Sequence, residues 1–150
     1  MATDTDLIKL YSNRILGLAA DIPHNTRLKK ADATVKKRSP LCGSTVTVDV
    51  QLKDGRIARF GQDVKACALG QAAAAVTGGA IIGRNHDEIR AARDALRAML
   101  KNGGPVPAAP FDGFEVLEPA REYGNRHASI LLTIEAADEA MEQALQANCA

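Results

Sequence analysis

The stretch STVTVDVQLKDGRIARFGQDVKA, residues 44–66, constrains this chain more than any other. Val46, Val48, Val50 and Leu52 fall on one parity, and Thr45, Thr47, Asp49 and Gln51 on the other. A strand turns alternate residues to opposite faces, so this spacing predicts a half-buried antiparallel strand. Asp54-Gly55 tolerates the positive φ of a tight hairpin turn. A partner strand follows, with Ala58, Phe60, Val64 and Ala66 two or four apart.

The remaining segments are read around that hairpin. TDTDLIKLYSNRILGLAADIP opens on capping residues and places Leu7, Leu10, Tyr11, Ile15 and Leu18 on one helical face before Pro23 stops it. HNTRLKKADATVKKRSP is basic and poorly periodic, a loop with one short strand near 33–37. Past Cys67 the period changes, and ALGQAAAAV predicts a helix of small residues packed tightly on the sheet, ended by TGGAIIG. NHDEIRAARDALRAMLKNGG reads as a capped amphipathic helix with Ile89, Leu96, Met99 and Leu100 inward. PVPAAPFDG predicts a proline-rich surface connection. A final helix is expected from about Pro119, with Ile130, Leu131, Ile134, Ala137, Met141 and Leu145 at helical spacing. Helix, strands, then helices is the α+β order: a small antiparallel sheet of about three strands with helices packed on one face. At 150 residues the chain is expected to be one domain.

Composition narrows the functions open to it. Aromatics make up 3% and tryptophan is absent, so the core must be built from Ala, Val, Leu and Ile. A formal charge of +1 argues against a general nucleic-acid binder. KKADATVKKR gathers five cations, read as a solvated loop ahead of a nucleic-acid patch, and equally able to face an acidic partner. No apolar run approaches the roughly 20 residues of a membrane helix. MATDTDLIKLYSN has neither the apolar run of a secretory signal nor a transit-peptide character, so a cytoplasmic protein is expected. Neither a spaced-glycine dinucleotide motif nor a phosphate loop occurs. Glu135 and Asp138 fit a solvated helix face, and His24 and His86 lie apart from the cysteines.

Three cysteines occur. Cys42 lies in the turn SPLCGS that enters the first hairpin strand, and Cys67 lies where the second strand hands over to a helix. Antiparallel strands bring these two positions to the same end. Gly43 allows the turn to be tight, and a helix start favours negative charge on a nearby sulfur. In a reducing compartment thiols are free, metal-bound or reactive rather than paired.

The layout SPLCGS, VKACALGQAAA and RHASIL resembles the IscU/NifU-type iron–sulfur cluster assembly scaffolds. That family has an Asn/Ala-Pro-x-Cys-Gly-Asp turn and a Gly-Cys-Ala-Ile/Leu-Ser-x-Ala-Ser strand–helix junction. Its last helix opens on His-Cys-Ser-Ile-Leu or Lys-Cys-Ala-x-Leu. LYSNRILG is similar to the family's first helix and VTVDVQLKDGRIARF to its first hairpin. The resemblance implies that Cys42, Cys67 and His127 hold a metal or nascent cluster. Ala128 stands at the third cysteine position and Ser44 at that of the family's Asp; Ser44 and Cys149 are auxiliary candidates. The implied cargo is a transient iron–sulfur cluster, iron or zinc, since thiolate and imidazole suit each of these.

By the same resemblance the partners would be a cysteine desulfurase, an iron donor and apo iron–sulfur proteins, with no nucleic acid and no membrane. A homo-oligomer would be one way to supply the missing ligand. The protein would be a carrier and not an enzyme. Two alternatives stay open: a sulfur-acceptor or desulfurase-activating protein, as in the zinc-type scaffolds or SufE proteins, and a metal-free interaction paralogue. EYGNR occupies the place of the family's Leu-Pro-Pro-Val-Lys chaperone segment, so no chaperone is implied.

Overall fold

The computed structural model describes residues 12–40 and 43–148. The elements run α1 (Asn13–Ala20), β1 (Ala33–Arg38), β2 (Thr45–Lys53), β3 (Arg56–Lys65), α2 (Ala68–Ala80), α3 (His86–Asn102), two 3₁₀ segments (Asp112–Glu122 and Gly124–Arg126) and α4 (His127–Asn148). Leu7, Leu10 and Tyr11 lie outside the described residues, while Ile15 of the same expected helix is fully buried.

The three strands form one antiparallel sheet in the order β1-β2-β3, as the alternation predicts. Val46 pairs with Val64, Val48 with Gln62 and Val50 with Phe60, and this face is closed by α4, which packs on β1 and β2. On its other side α4 meets α2 and α3. A helix sandwiched in this way needs apolar residues all round rather than on one stripe. Ile130, Leu131, Leu132, Ile134, Ala136, Ala137, Ala140 and Met141 are accordingly all buried.

Two expectations are corrected. The final helix begins at His127, not near Pro119. Pro119 cannot donate to a helical ladder, and Phe114, Leu117 and Ala120 are buried at a spacing of three, the period of the 3₁₀ helix that forms there. The connection before it is not all surface, because Phe111 is buried and stacks on Phe114 with ring centroids 6.2 Å apart. The helix expected to end within TGGAIIG does so, at Ala80. A Cβ at Gly78 would come within 2.9 Å of the Pro23 carbonyl oxygen, so glycine is there for a close approach.

The outer face of the sheet is crossed by residues 26–28 at the row Thr34–Asp49–Gly61. Asp49 accepts from Arg27 Nε at 2.7 Å, from the Leu28 N–H at 3.0 Å and from Thr34 Oγ1 at 2.5 Å. Gly61 makes room, since a Cβ there would sit 2.5 Å from the Thr26 carbonyl oxygen. Burial pushes the Asp49 carboxyl up, but the guanidinium, hydroxyl and amide donors outweigh it and hold the group below the ordinary carboxylate range.

Candidate functional site

Cys67 occupies the N-cap of α2, with extended backbone, directly after β3. Its Sγ lies 3.5 Å from Ser129 Oγ in the first turn of α4, and Ser129 Oγ donates to Ser44 Oγ at 3.0 Å. With the Ser129 proton committed to Ser44, a Cys67 thiol donates to Ser129; a thiolate would accept from Ser129, whose oxygen would then accept from the Ser44 hydroxyl. Ser44 and Ser129 are buried, and Cys67 is partly exposed. Three segments far apart in sequence therefore meet at one end of the sheet.

The turn that carries Cys42 is closed by the Ser39 N–H donating to Ser44 O at 2.8 Å and the Gly43 N–H donating to Ser39 O at 2.9 Å. Gly43 has φ +70°, the left-handed conformation expected of it. Thr45 pairs with Lys65, which brings this turn and the Cys67 junction to the same end of the hairpin. Cys42 itself lies outside the described residues, as does Cys149.

His127 is buried, and its Nε2 lies 3.0 Å from the carbonyl oxygens of both Ala120 and Arg121. Carbonyls only accept, so Nε2 carries a proton and Nδ1 is the ring nitrogen left to offer a lone pair. In this rotamer a metal would meet His127 only through Nδ1. Among the described residues no three His, Cys, Asp or Glu side chains cluster as a metal-holding group. The described donors at this end are one thiol and two hydroxyls.

Ser129 was not among the residues expected at the site. The signal for it was a lone hydroxyl in RHASILL, a polar residue in the most buried part of an apolar helix. Gly70 belongs with it: a Cβ there would stand 2.6 Å from Ser129 Oγ and 2.9 Å from Ala66 Cβ, so α2 and α4 can touch beside Cys67 only through glycine. A second correction concerns Asp138. It is buried rather than solvated, accepting from Arg93 Nη1 at 2.5 Å and bonded to His86 Nε2 at 2.8 Å. Glu135 pairs with Arg97 at 2.8 Å. These contacts join α3 to α4.

No protein-family model matches the chain, and no curated protein matches it. Solved structures do. An iron–sulfur cluster assembly scaffold assigned to the SUF system of Fervidobacterium islandicum AW-1 is 19% identical over 89% of this chain and 98% of its own, with a TM-score of 0.79. A hypothetical protein is 21% identical over 90% of this chain and 98% of its own, with a TM-score of 0.80. These two define the class of fold. The N-terminal part of a nitrogen-fixing NifU-like protein from Brucella abortus is 42% identical, covering 94% of this chain and 98% of that one, with a TM-score of 0.91. The chain belongs to the NifU-like N-terminal family.

Proposed function

We propose that this protein is an iron–sulfur cluster assembly scaffold, a carrier rather than an enzyme, that receives a nascent cluster and passes it on. The observation that carries the reading is the 42% identity to a NifU-like protein over 94% of the chain. The partly exposed Cys67 at the junction of β3 and α2 supports it. Cys42 and Cys67 would supply two sulfurs to the cargo, His127 would approach through Nδ1, and Ser44 is an oxygen donor close by. A cysteine desulfurase would provide sulfur and an iron donor the metal; apo iron–sulfur proteins would be the acceptors. A cytoplasmic setting keeps the thiols reduced. No described helix is long and apolar enough to cross a membrane.

Anaerobic reconstitution with ferrous iron, cysteine, a cysteine desulfurase and a dithiol reductant, which is oxidised to its disulfide as it reduces the sulfane sulfur to sulfide, tests this. The expected result is sulfur-to-iron charge-transfer absorbance in the wild type, lost in Cys67→Ala and transferable to an apo-ferredoxin. Absence of both iron and absorbance in the folded wild type would overturn the scaffold reading.

A second reading is favoured by one observation, the partly exposed Cys67 thiol at the N-cap of α2. A sulfur acceptor needs one nucleophilic cysteine and no complete ligand set. Persulfide on Cys67 by mass spectrometry, with no iron or zinc bound, would put that reading first.

A further inference from the structure

The outer face of the sheet carries a charge pattern that the sulfur end does not use. Paired residues of antiparallel strands point the same way. The rows Arg38–Thr45–Lys65, Lys36–Thr47–Asp63, Thr34–Asp49–Gly61 and Gln51–Arg59 therefore all lie on this face, opposite the one covered by α4. Lys36, Arg38, Arg59 and Lys65 are exposed, and no ion pair among the described residues engages them. The segment before β1 adds Arg27, Lys29 and Lys30, which with Arg59 border a shallow basin over Gln51. Seven cations thus face three carboxylates: Asp63, Asp32, which accepts from the Leu52 N–H, and the buried Asp49, which Arg27 already meets. The whole chain carries a formal charge of only +1, so the rest of the molecule is net acidic.

We propose that this basic sheet face is the docking surface for a protein partner presenting a carboxylate-rich patch, seated beside the Cys42–Cys67 end. One edge of the face abuts that end. Arg38 Nη2 lies 4.0 Å from where a Cβ on Gly43 would stand, and Lys65 precedes Cys67 by two residues. The rows from Thr45 to Gln51 span about 20 Å along the strands and about 10 Å across them. That is the charged centre of a standard interface of roughly 800 Å² per partner.

The chemistry of the face selects a protein over other polyanions. It offers no aromatic side chain on which bases could stack, and a flat three-stranded sheet does not enter a duplex groove as a helix or ribbon does. Its apolar content is the half-buried Leu28, with Ala58 and the exposed Ile82 beside it at the β3 edge, too little to insert into a bilayer. Asp63 stands in the row with Lys36, where a phosphate track or an anionic membrane would meet repulsion. A protein patch can set one Lys or Arg opposite Asp63 and carboxylates opposite the rest.

The test uses the full chain at about 150 mM salt, where exposed charges more than roughly 8 Å apart are screened. Poly-L-glutamate is the probe, compared with a short DNA duplex and phosphatidylserine vesicles. Amide shifts should move on the outer rows of β1–β3, and the triple variant Lys36→Glu/Arg38→Glu/Lys65→Glu should bind poly-L-glutamate about tenfold more weakly or worse. Thermal melting checks that the variant folds; if it does not, Lys29→Glu/Arg59→Glu is measured in its place with the same expectation. No binding, undiminished binding in the folded variant, or tighter binding of DNA or vesicles than of poly-L-glutamate would overturn the proposal. No metal or sulfur enters the measurement, so its outcome is separate from that of the scaffold reading.

Discussion

Cys67, Ser129 and Ser44 form a short relay of hydrogen-bonding groups, and each link has its own expected behaviour. Cys67→Ala should abolish most cargo binding while leaving the melting temperature close to that of the wild type, because the thiol is partly exposed and makes no capping bond. Ser129→Ala removes one buried hydroxyl link and should cost about 1 kcal/mol in chemical denaturation. Asp49 is a different kind of residue, buried under four donor contacts and distant in role from the sulfurs. Asp49→Asn should destabilise by about 1–2 kcal/mol, since the Thr34 and Leu28 donors then meet no charge, while the half-exposed Arg27 is met by water. Its folded-state pKa lies below the unfolded value, so its stabilising contribution is complete above the ordinary carboxylate range and disappears as pH falls through the depressed folded value. Urea denaturation of wild type and Asp49→Asn should therefore differ fully above the ordinary carboxylate range and converge as the pH falls through the depressed folded value.

The elements are held by devices of unequal visibility. In α3 the Glu88 N–H donates to Asn85 Oδ1 at 2.8 Å, and the Asn85 N–H donates to Glu88 Oε1 at 3.1 Å. This reciprocal box was readable in NHDE, as was the left-handed Gly103 that closes the helix. Asn85→Ala should cost about 1 kcal/mol in denaturant unfolding. The junction of α2 with α4 was not readable in the same way. Gly70 looks like a residue that weakens a helix, yet it is where Ser129 seats. Gly70→Ala should destabilise by about 1–3 kcal/mol through overpacking, despite the better helix propensity of alanine. Adding Ser129→Ala should recover only part of the loss, because Ala66 Cβ and the Ser129 carbonyl oxygen still crowd the position. Full recovery would mean that the hydroxyl alone sets the helix spacing.

At the scale of the whole molecule, the fold brings Ala128 to the place where the family resemblance sets a third sulfur, next to Ser129 and at the start of α4. Ala128→Cys should raise zinc affinity by several kcal/mol if Cys42, Cys67 and His127 are already gathered, as judged from the roughly 10–16 kcal/mol shared among four ligands of a structural zinc site. A competition titration showing no gain, with the fold intact, would move the sulfur-acceptor reading ahead. The hairpin, the short strand before it and the capped helix were legible because they rest on local periodicity: side chains alternate along a strand and recur along a helix whatever surrounds them. That the start of β2 and the end of β3 meet was legible for the same reason, since antiparallel pairing fixes which strand ends meet. The bulge that buries Ile57 in place of the expected Ala58 was not legible. Other features depended on what packs against what. Asp49 and Asp138 read as solvated acids from their neighbours in sequence, but a crossing segment buries one and α3 covers the other. The start of α4 was masked by Pro119 and by apolar residues whose spacing of three suits a 3₁₀ turn as well as a helix edge. Periodicity and turn chemistry are properties of the chain's own backbone, so the sequence alone determined the sheet and the end at which Cys67 sits. Burial and partners depend on contacts between distant segments, so only the tertiary structure decided that Ser129 links Cys67 to Ser44 and that His127 turns its Nε2 inward.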